Sequence, residues 1–372
     1  MRTSNHPLIP TSTGNLDLEA VLRRTADTAA NRDANPAFPD ETFHDLGSVG
    51  VLGIPVPAPP SAEGRRASFG EEWRILRTVA RADASVGRIL DGHLNAVERI
   101  AVAAPEPLRS RELEAVAAGR LLLGVWGADP IPGEGEPARL SEDARSISGV
   151  KTFCSGSTGV HRALVLVRGP DDAPGPPHLA YVGVTEGAEV DRSWFKGAGM
   201  RASESHRVVF DRAPVLAVLG GPGELLREPY FARDAIRTAV TWAGICDSAV
   251  QAALTILAAK SRGQDPDDLA SLAAGRMLTA QGTMDRWLEY AASEADRDPN
   301  ASLAPFATQL REAVASSCRE VLDEAARAVG SLPFAVSGPL DRARRDLELF
   351  LLQHRLEPAL VRRGRAEILG SP

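Results

Sequence analysis

GVKTFCSGSTGVHRALVLV, residues 149–167, is the stretch that decides the fold. An apolar run lies on each side of a turn rich in Gly, Ser and Thr, which indicates two β-strands joined by a short connection. Similar runs follow at residues 179–184 and 207–210, with Gly and Pro clusters between them. The middle of the chain, residues 121–229, is therefore predicted to be an antiparallel β-domain.

The segments on both sides of this β-domain have the 3.6-residue apolar period of helices. Residues 1–120 are predicted to form an N-terminal helical domain, in which residues 71–100 form one long helix or two helices with a break near Gly92. Residues 230–372 are predicted to form a C-terminal four-helix bundle. Its four Ala-, Leu- and Arg-rich patterns lie at residues 232–259, 269–295, 303–329 and 340–369. The predicted fold class is therefore an α+β multidomain protein of helices, a β-domain and a bundle.

Charge and composition argue against several classes of function. The net charge is -7, whereas a nucleic-acid-binding domain is usually basic. The three cysteines are far apart and form no CxxC pair, and no metal-binding or Walker motif occurs, so neither a metal site nor ATP chemistry is predicted. No signal peptide is visible at the N-terminus, and the apolar runs are too short to span a bilayer. We therefore expect a cytoplasmic protein without a nucleic-acid or membrane partner.

Four segments, taken in chain order, resemble the acyl-CoA dehydrogenase family. They are FHDLGSVGVLGIPVP at residues 43–57, RADASVGRIL at 81–90, the stretch at 149–167, and GAGMRASESHRVVFDRAPV at 197–215. No single segment is specific, but together they resemble the family over nearly the whole chain. The resemblance implies the acyl-CoA dehydrogenase fold and a homo-oligomer, either a tetramer or a dimer. It also implies FAD (or FMN) bound between the β-domain and the bundle, partly by a neighbouring subunit.

The resemblance implies that two stretches of the β-domain hold the flavin ring. Phe153 and Ser155 occupy the positions of an aromatic and a hydroxyl residue in the family, so Phe153 is expected to pack on the ring and Ser155 to donate to its edge. The backbone of Trp126 and Ala128 lies at the family's TEP turn, where Ala128 replaces the threonine. The alternatives are a core strand for Phe153 and a shortened surface loop around Ala128.

The residues expected to bind the adenine half of the cofactor match the family's motif less closely. Gly330 stands sixteen residues before Asp346, which is the family's spacing between its Q..GG turn and its RD pair. Arg327 replaces the glutamine of that turn, and Ser331 replaces its second glycine. Arg262 is the nearest counterpart of the family's phosphate-binding arginine. For Arg327, an arginine on a solvated helix face is the alternative interpretation.

The catalytic base is the most informative departure from the family. The glutamate that removes a proton in acyl-CoA dehydrogenases is replaced by His354, and the family's second glutamate position falls near Arg237 and Thr238. His354 is the candidate catalytic residue, because imidazole titrates near neutral pH; an exposed or satisfied helix histidine is the alternative. A histidine here also resembles the flavin monooxygenase branch of the superfamily, in which Gln353 competes with His354 for the position.

His93 and Asn95 are the candidate substrate contacts, because they lie on a helix that borders the substrate cavity in the family; a buried capping role is the alternative. Three functions stay open. The first is desaturation of an acyl thioester, and the second is oxygenation of a small molecule with reduced flavin from a separate reductase. The third is a non-redox descendant of the fold. The predicted class is a flavin-dependent oxidoreductase, whose partner is a flavin reductase or an electron-transfer protein.

Overall fold

The computed structural model describes residues 17–57, 67–170, 175–353 and 355–370. Five helices precede the sheet in these ranges: α1 (Leu18–Ala34), α2 (Asp40–Ser48), α3 (Phe69–Ala82), α4 (Ala84–Ala103) and α5 (Leu108–Ala117). They pack around a core of apolar side chains that is shared with the sheet and with the later helices. The predicted order of helices, sheet and helices is confirmed.

Helices α3 and α4 show how local sequence sets the helix boundaries. Ser68 and Glu71 form a capping box at the start of α3, which satisfies two backbone N–H groups of its first turn. Asp83 ends α3 and caps α4, because its carboxylate accepts from Val86 N at 3.0 Å. Residues 71–100 form neither one long helix nor two helices that break near Gly92, since α4 continues through Gly92 and the chain turns at Asp83 instead.

Seven strands form one sheet with the order β1-β4-β5-β7-β3-β2, and β6 also pairs with β7. Their bounds are β1 (Leu123–Trp126), β2 (Arg139–Leu140), β3 (Ser146–Cys154), β4 (Arg162–Val167), β5 (His178–Gly183), β6 (Ala188–Asp191) and β7 (His206–Val218). All pairs are antiparallel except β1 with β4, which is parallel. The predicted antiparallel β-domain is therefore corrected to a mixed sheet, in which the two outermost strands on one side run in the same direction.

In the described residues after the sheet there are six helices: α6 (Tyr230–Ser261), α7 (Asp268–Arg297), α8 (Ala304–Val329), α9 (Leu332–Ala335), α10 (Pro339–Phe350) and α11 (Glu357–Ile368). The fourth predicted helix of the bundle, residues 340–369, is thus divided into α10 and α11. A proline stands in the first turn of α11, where a missing N–H group costs nothing, and it favours a new helix start there. The candidate catalytic residue His354 lies outside the described residues.

Helix α6 is the centre of the protein and packs against α3, α8 and α10. By length and composition it could also cross a membrane, and half of that stretch is buried inside the protein. Its apolar sequence is interrupted by Arg237, which is fully buried and forms ion pairs with Glu72 of α3 at 2.7 Å and Glu98 of α4 at 2.9 Å. These contacts connect the N-terminal helices to the bundle.

Candidate functional site

The end of strand β3 presents an aromatic side chain to solvent in an unusual backbone conformation. Phe153 has φ of 51°, and 49% of its side chain is exposed. Its ring meets the edge of Trp194 at 4.9 Å between centroids. A non-glycine residue in the left-handed region costs free energy, and such residues are concentrated at functional sites. An exposed phenyl ring beside a half-buried indole can pack against a flat ligand.

A group of buried serine hydroxyls lies directly after Phe153. The Ser155 hydroxyl is 2.9 Å from that of Ser205, which in turn is 2.7 Å from that of Ser203. Gly156 N donates to Ser203 O at 2.8 Å, so the turn after β3 is held against residues 200–206. The structure thus brings together two of the segments that carry the family resemblance. Because a hydroxyl both donates and accepts, this group can bind the polar edge of a heterocycle.

Trp126 and Ala128 lie next to this turn, with different exposure. The Trp126 ring is fully buried, and its Nε1 donates to Ser155 O at 3.1 Å, which fixes the backbone of the turn after β3. Ala128 is exposed, and its carbonyl accepts from Thr152 N at 3.0 Å. An exposed aromatic face, a buried hydroxyl group and a small exposed residue fit a planar ring with one polar edge. The residues present therefore fit the isoalloxazine part of a flavin.

The three residues assigned to the adenine half form a second group at one end of the bundle. Arg262 follows α6 and Gly330 follows α8, each in the left-handed region. The two helix ends are joined because Lys260 Nζ donates to Val329 O at 2.6 Å. Arg327 is 71% exposed and 3.4 Å from Glu324, as expected of a solvated helix arginine. These residues are on other elements than Phe153 and Ser155, so the chain presents two groups and not one continuous flavin site.

His93 and Asn95 are both buried in α4. His93 Nε2 is 3.0 Å from Leu52 O, while its Nδ1 accepts from Leu123 N at 3.1 Å. Burial lowers the pKa of His93 to about 4, so the neutral ring joins α4 to two neighbouring segments. Asn95 donates to Asp91 at 3.1 Å and accepts from Arg237 at 3.0 Å. This geometry matches the buried role that the sequence left open for both residues.

A cleft with a volume of about 960 Å³ lies beside residues 203–206 and was not predicted from the sequence. It is bounded by the end of α1, the loop after β6 and the start of α10. Glu204 and His206 line it, and His206 Nε2 is 3.2 Å from Glu204 Oε2. The available signal was the group of basic residues in DRSWFKGAGMR, residues 191–201, but nothing in the sequence places α10 opposite this group.

Comparison with known proteins agrees with the fold. Residues 19–120 match the family model described as acyl-CoA dehydrogenase, N-terminal domain. The chain is 29% identical to L-evernosamine nitrososynthase of a Micromonospora species, covering 92% of this chain and 86% of that protein. The structure of a nitrososynthase from Micromonospora carbonacea var. africana is 27% identical, with a TM-score of 0.79 and 95% of each chain covered.

A further solved structure, KijD3 in complex with FMN and dTDP-3-amino-2,3,6-trideoxy-4-keto-3-methyl-D-glucose, has the same fold. It is 24% identical, with a TM-score of 0.79, and the match covers 95% of this chain and 92% of that chain. The chain is thus a divergent enzyme of the acyl-CoA dehydrogenase-like fold class, and the predicted class of flavin-dependent oxidoreductase is confirmed. Nitrososynthases are among the proteins that this chain resembles over nearly its full length.

Proposed function

We propose that this protein is a flavin-dependent monooxygenase that oxidises the amino group of an amino sugar, as a nitrososynthase does. The observation that carries the proposal is the similarity to nitrososynthases over about nine-tenths of the chain, in sequence and in fold. The sugar is expected to be linked to a nucleotide, because KijD3 was solved with FMN and a dTDP-linked amino sugar. The same complex supports FMN as the cofactor here.

Desaturation of an acyl thioester is the less favoured function. It needs a carboxylate base, and the second position at which the family places one falls near Arg237. That guanidinium is completely buried between Glu72 and Glu98, so it cannot reach a substrate. Neither position therefore offers a carboxylate, and oxygenation does not require one.

The proposed roles of the side chains follow from their surroundings. When bound, reduced flavin supplies two electrons, so that one oxygen atom of O₂ adds to the amine and the other leaves as water. Phe153 would pack on the ring face, and Ser155 would hydrogen-bond to the ring edge with its hydroxyl oriented by Ser205. We assign His354 as the group that takes a proton from the amine, because imidazole titrates near neutral pH.

Three further parts of the proposal concern the protein's surroundings. A separate flavin reductase would deliver the reduced cofactor. A homo-oligomer, tetramer or dimer, would let Arg262, Arg327 and Gly330 of one subunit reach the flavin held by Phe153 and Ser155 of another. We place the enzyme in the cytoplasm, and its three cysteines, all buried and unpaired, suit a reducing compartment.

The proposal is tested by adding a flavin reductase, NADH, FMN and a dTDP-linked amino sugar to the purified protein. We expect a product that has gained oxygen on nitrogen, detected by mass spectrometry. Ser155→Ala is expected to weaken FMN binding by about tenfold, as for the loss of one hydrogen bond of about 1.4 kcal/mol, whereas Ser193→Ala on an exposed turn should leave it unchanged. Bleaching of bound flavin by an acyl-CoA, without any reductase, would instead assign the desaturase function.

A further inference from the structure

The cleft beside residues 203–206 is large enough for a ligand of its own. Its volume of about 960 Å³ is at the upper end of the range for small-molecule sites. It lies next to the proposed flavin site, because the same short segment serves both. Ser203 and Ser205 hydrogen-bond on the side of Ser155, while Glu204 and His206 line the cleft.

Positive charge is available in this cleft although the protein as a whole is acidic. Four cations and three carboxylates are among its lining residues. Arg345 pairs with both Asp33 at 2.6 Å and Asp341 at 2.9 Å, so one cation is shared by two carboxylates and offsets only part of their charge. Arg192 interacts electrostatically with Glu204, the third carboxylate of the cleft. Lys196 and Arg201 form no ion pair within the described part of the chain, so these two cations are available to an anion.

A buried histidine adds a second and independent indication of a ligand. His206 is only 5% exposed, and its Nδ1 has no hydrogen-bond partner among the described residues. Glu204 holds the other ring nitrogen at 3.2 Å, and Glu204 is itself fixed by the hydroxyl of Thr158 at 3.0 Å. A buried polar atom without a partner costs free energy. A polar group of a bound ligand would remove that cost.

The wall that carries the cations is held rigidly against α10. Met200 N donates to the buried carboxylate of Asp346 at 2.5 Å. Gly199 lies so close to α10 that an added Cβ would be 2.1 Å from Arg345 O, so only glycine fits there. The ring of Phe195 meets His206 edge-on at 6.4 Å. A wall that is fixed before binding loses little entropy when a ligand arrives, which favours affinity.

We propose that this cleft binds a phosphate ester or diphosphate, with Lys196 and Arg201 contacting the anion and His206 the polar group next to it. Phosphates are bound in proteins by lysine and arginine through charge-assisted hydrogen bonds. Either of two compounds with this chemistry can supply the group: a nucleoside diphosphate or the phosphate of FMN. The inference adds to the proposed function but does not depend on it, because phosphate binding can be measured without turnover.

The test uses isothermal titration calorimetry of the full-length protein with dTDP, FMN and riboflavin. Lys196→Ala and Arg201→Ala, singly and together, are compared with Arg286→Ala, which removes an 85% exposed arginine on α7. The double variant is expected to weaken the binding of one phosphate compound by about tenfold or more, since each charged hydrogen bond contributes that order. Arg201→Lys should restore part of the affinity, and circular dichroism melting confirms that each variant is folded.

The pattern of losses identifies the source of the phosphate. Weaker dTDP binding with an unchanged preference for FMN over riboflavin would assign the cleft to a nucleotide. Loss of the preference for FMN, with dTDP binding unchanged, would assign it to the flavin phosphate. If neither quantity changes in the folded double variant, the proposal is overturned. Phosphate binding that persists in a protein that oxidises no amino sugar would refute the proposed function alone.

Discussion

Replacing Arg237 by leucine should strongly destabilise the protein, because Arg237 is the buried junction between three helices. Its Nε lies 2.7 Å from Glu72 of α3, and one of its terminal nitrogens lies 2.9 Å from Glu98 of α4 and 3.0 Å from Asn95. Both Arg237 and Glu72 have no exposed surface. Leucine has a similar apolar volume but cannot neutralise these carboxylates.

The expected loss is about 3–5 kcal/mol, which is the usual cost when one partner of a buried ion pair is removed. Burial leaves little water to screen the carboxylates once the guanidinium is removed. Glu98 also keeps Arg99 at 3.2 Å and Arg233 at 3.0 Å, which limits its share of the loss. Adding Glu72→Gln to Arg237→Leu is therefore expected to recover part of the stability.

Urea unfolding followed by circular dichroism measures this effect as a shift of the midpoint at constant slope. Arg327→Leu is the matched control, because Arg327 is 71% exposed and its ion pair with Glu324 should contribute less than about 1 kcal/mol. A loss of under about 1 kcal/mol for Arg237→Leu, or no recovery with Glu72→Gln, would refute the assignment of Arg237 as a structural charge.

Three other changes test separate parts of the structure. Burial raises the pKa of Asp346 to about 7, so the native state holds the proton more tightly than the unfolded chain does. The free energy of unfolding of the wild type should therefore fall by up to about 4 kcal/mol between about pH 4 and pH 7. Asp346→Asn should flatten this slope when urea unfolding is measured across the range. Gly244→Ala would place a Cβ 2.3 Å from Arg77 O and force α6 away from α3. This should lower the stability measured by thermal unfolding by about 1–3 kcal/mol. An unchanged melting temperature would contradict this close approach. His354→Ala should abolish turnover while FMN stays bound, as followed by product formation and flavin absorbance; full activity would remove His354 from the mechanism.

Helix positions could be predicted well where a local signal sets the boundary. A proline followed by two acidic residues, Pro39, Asp40 and Glu41, is a local signal for a helix start, and α2 begins at Asp40. The break between α3 and α4 was misplaced because Gly92 was weighed as a helix breaker. In the structure Gly92 is buried inside α4, and an added Cβ would be 3.8 Å from Val125 N of β1. The capping carboxylate of Asp83 was the stronger signal.

Strand partners could not be predicted in the same way, because pairing is set by contacts between distant segments. The parallel pairing of β1 with β4 joins residues about forty positions apart, for example Leu123 with Arg162. Neither strand contains a turn signal that specifies the other, and a hairpin would have made the pair antiparallel. A sequence of apolar runs therefore predicts a sheet but not its order.

The candidate site shows the same limit at the level of single side chains. A family resemblance marks the positions of Phe153 and Ser155. The exposure of Phe153 and the hydroxyl contact of Ser155 are compatible with a ligand there. His93 was marked in the same way, yet its two ring nitrogens are taken by Leu52 and Leu123, which only the folded chain brings near. A residue's position in a family pattern therefore predicts candidate site residues, whereas its burial and hydrogen bonds in the folded chain determine whether it can contact a ligand.

The segment from Ser203 to His206 connects the two proposed ligand sites. Ser205 bonds to Ser155 in the proposed flavin site, while Glu204, the next residue back, holds His206 in the cleft. Glu204 has φ of 47°, an uncommon conformation for a non-glycine residue, and its carbonyl accepts from Ser157 at 2.9 Å. A ligand that shifts His206 would therefore also shift the backbone segment that positions Ser155. Phosphate in the cleft and a ring beside Phe153 would thus be held by one rigid piece of chain, as one long ligand or two adjacent ligands would require.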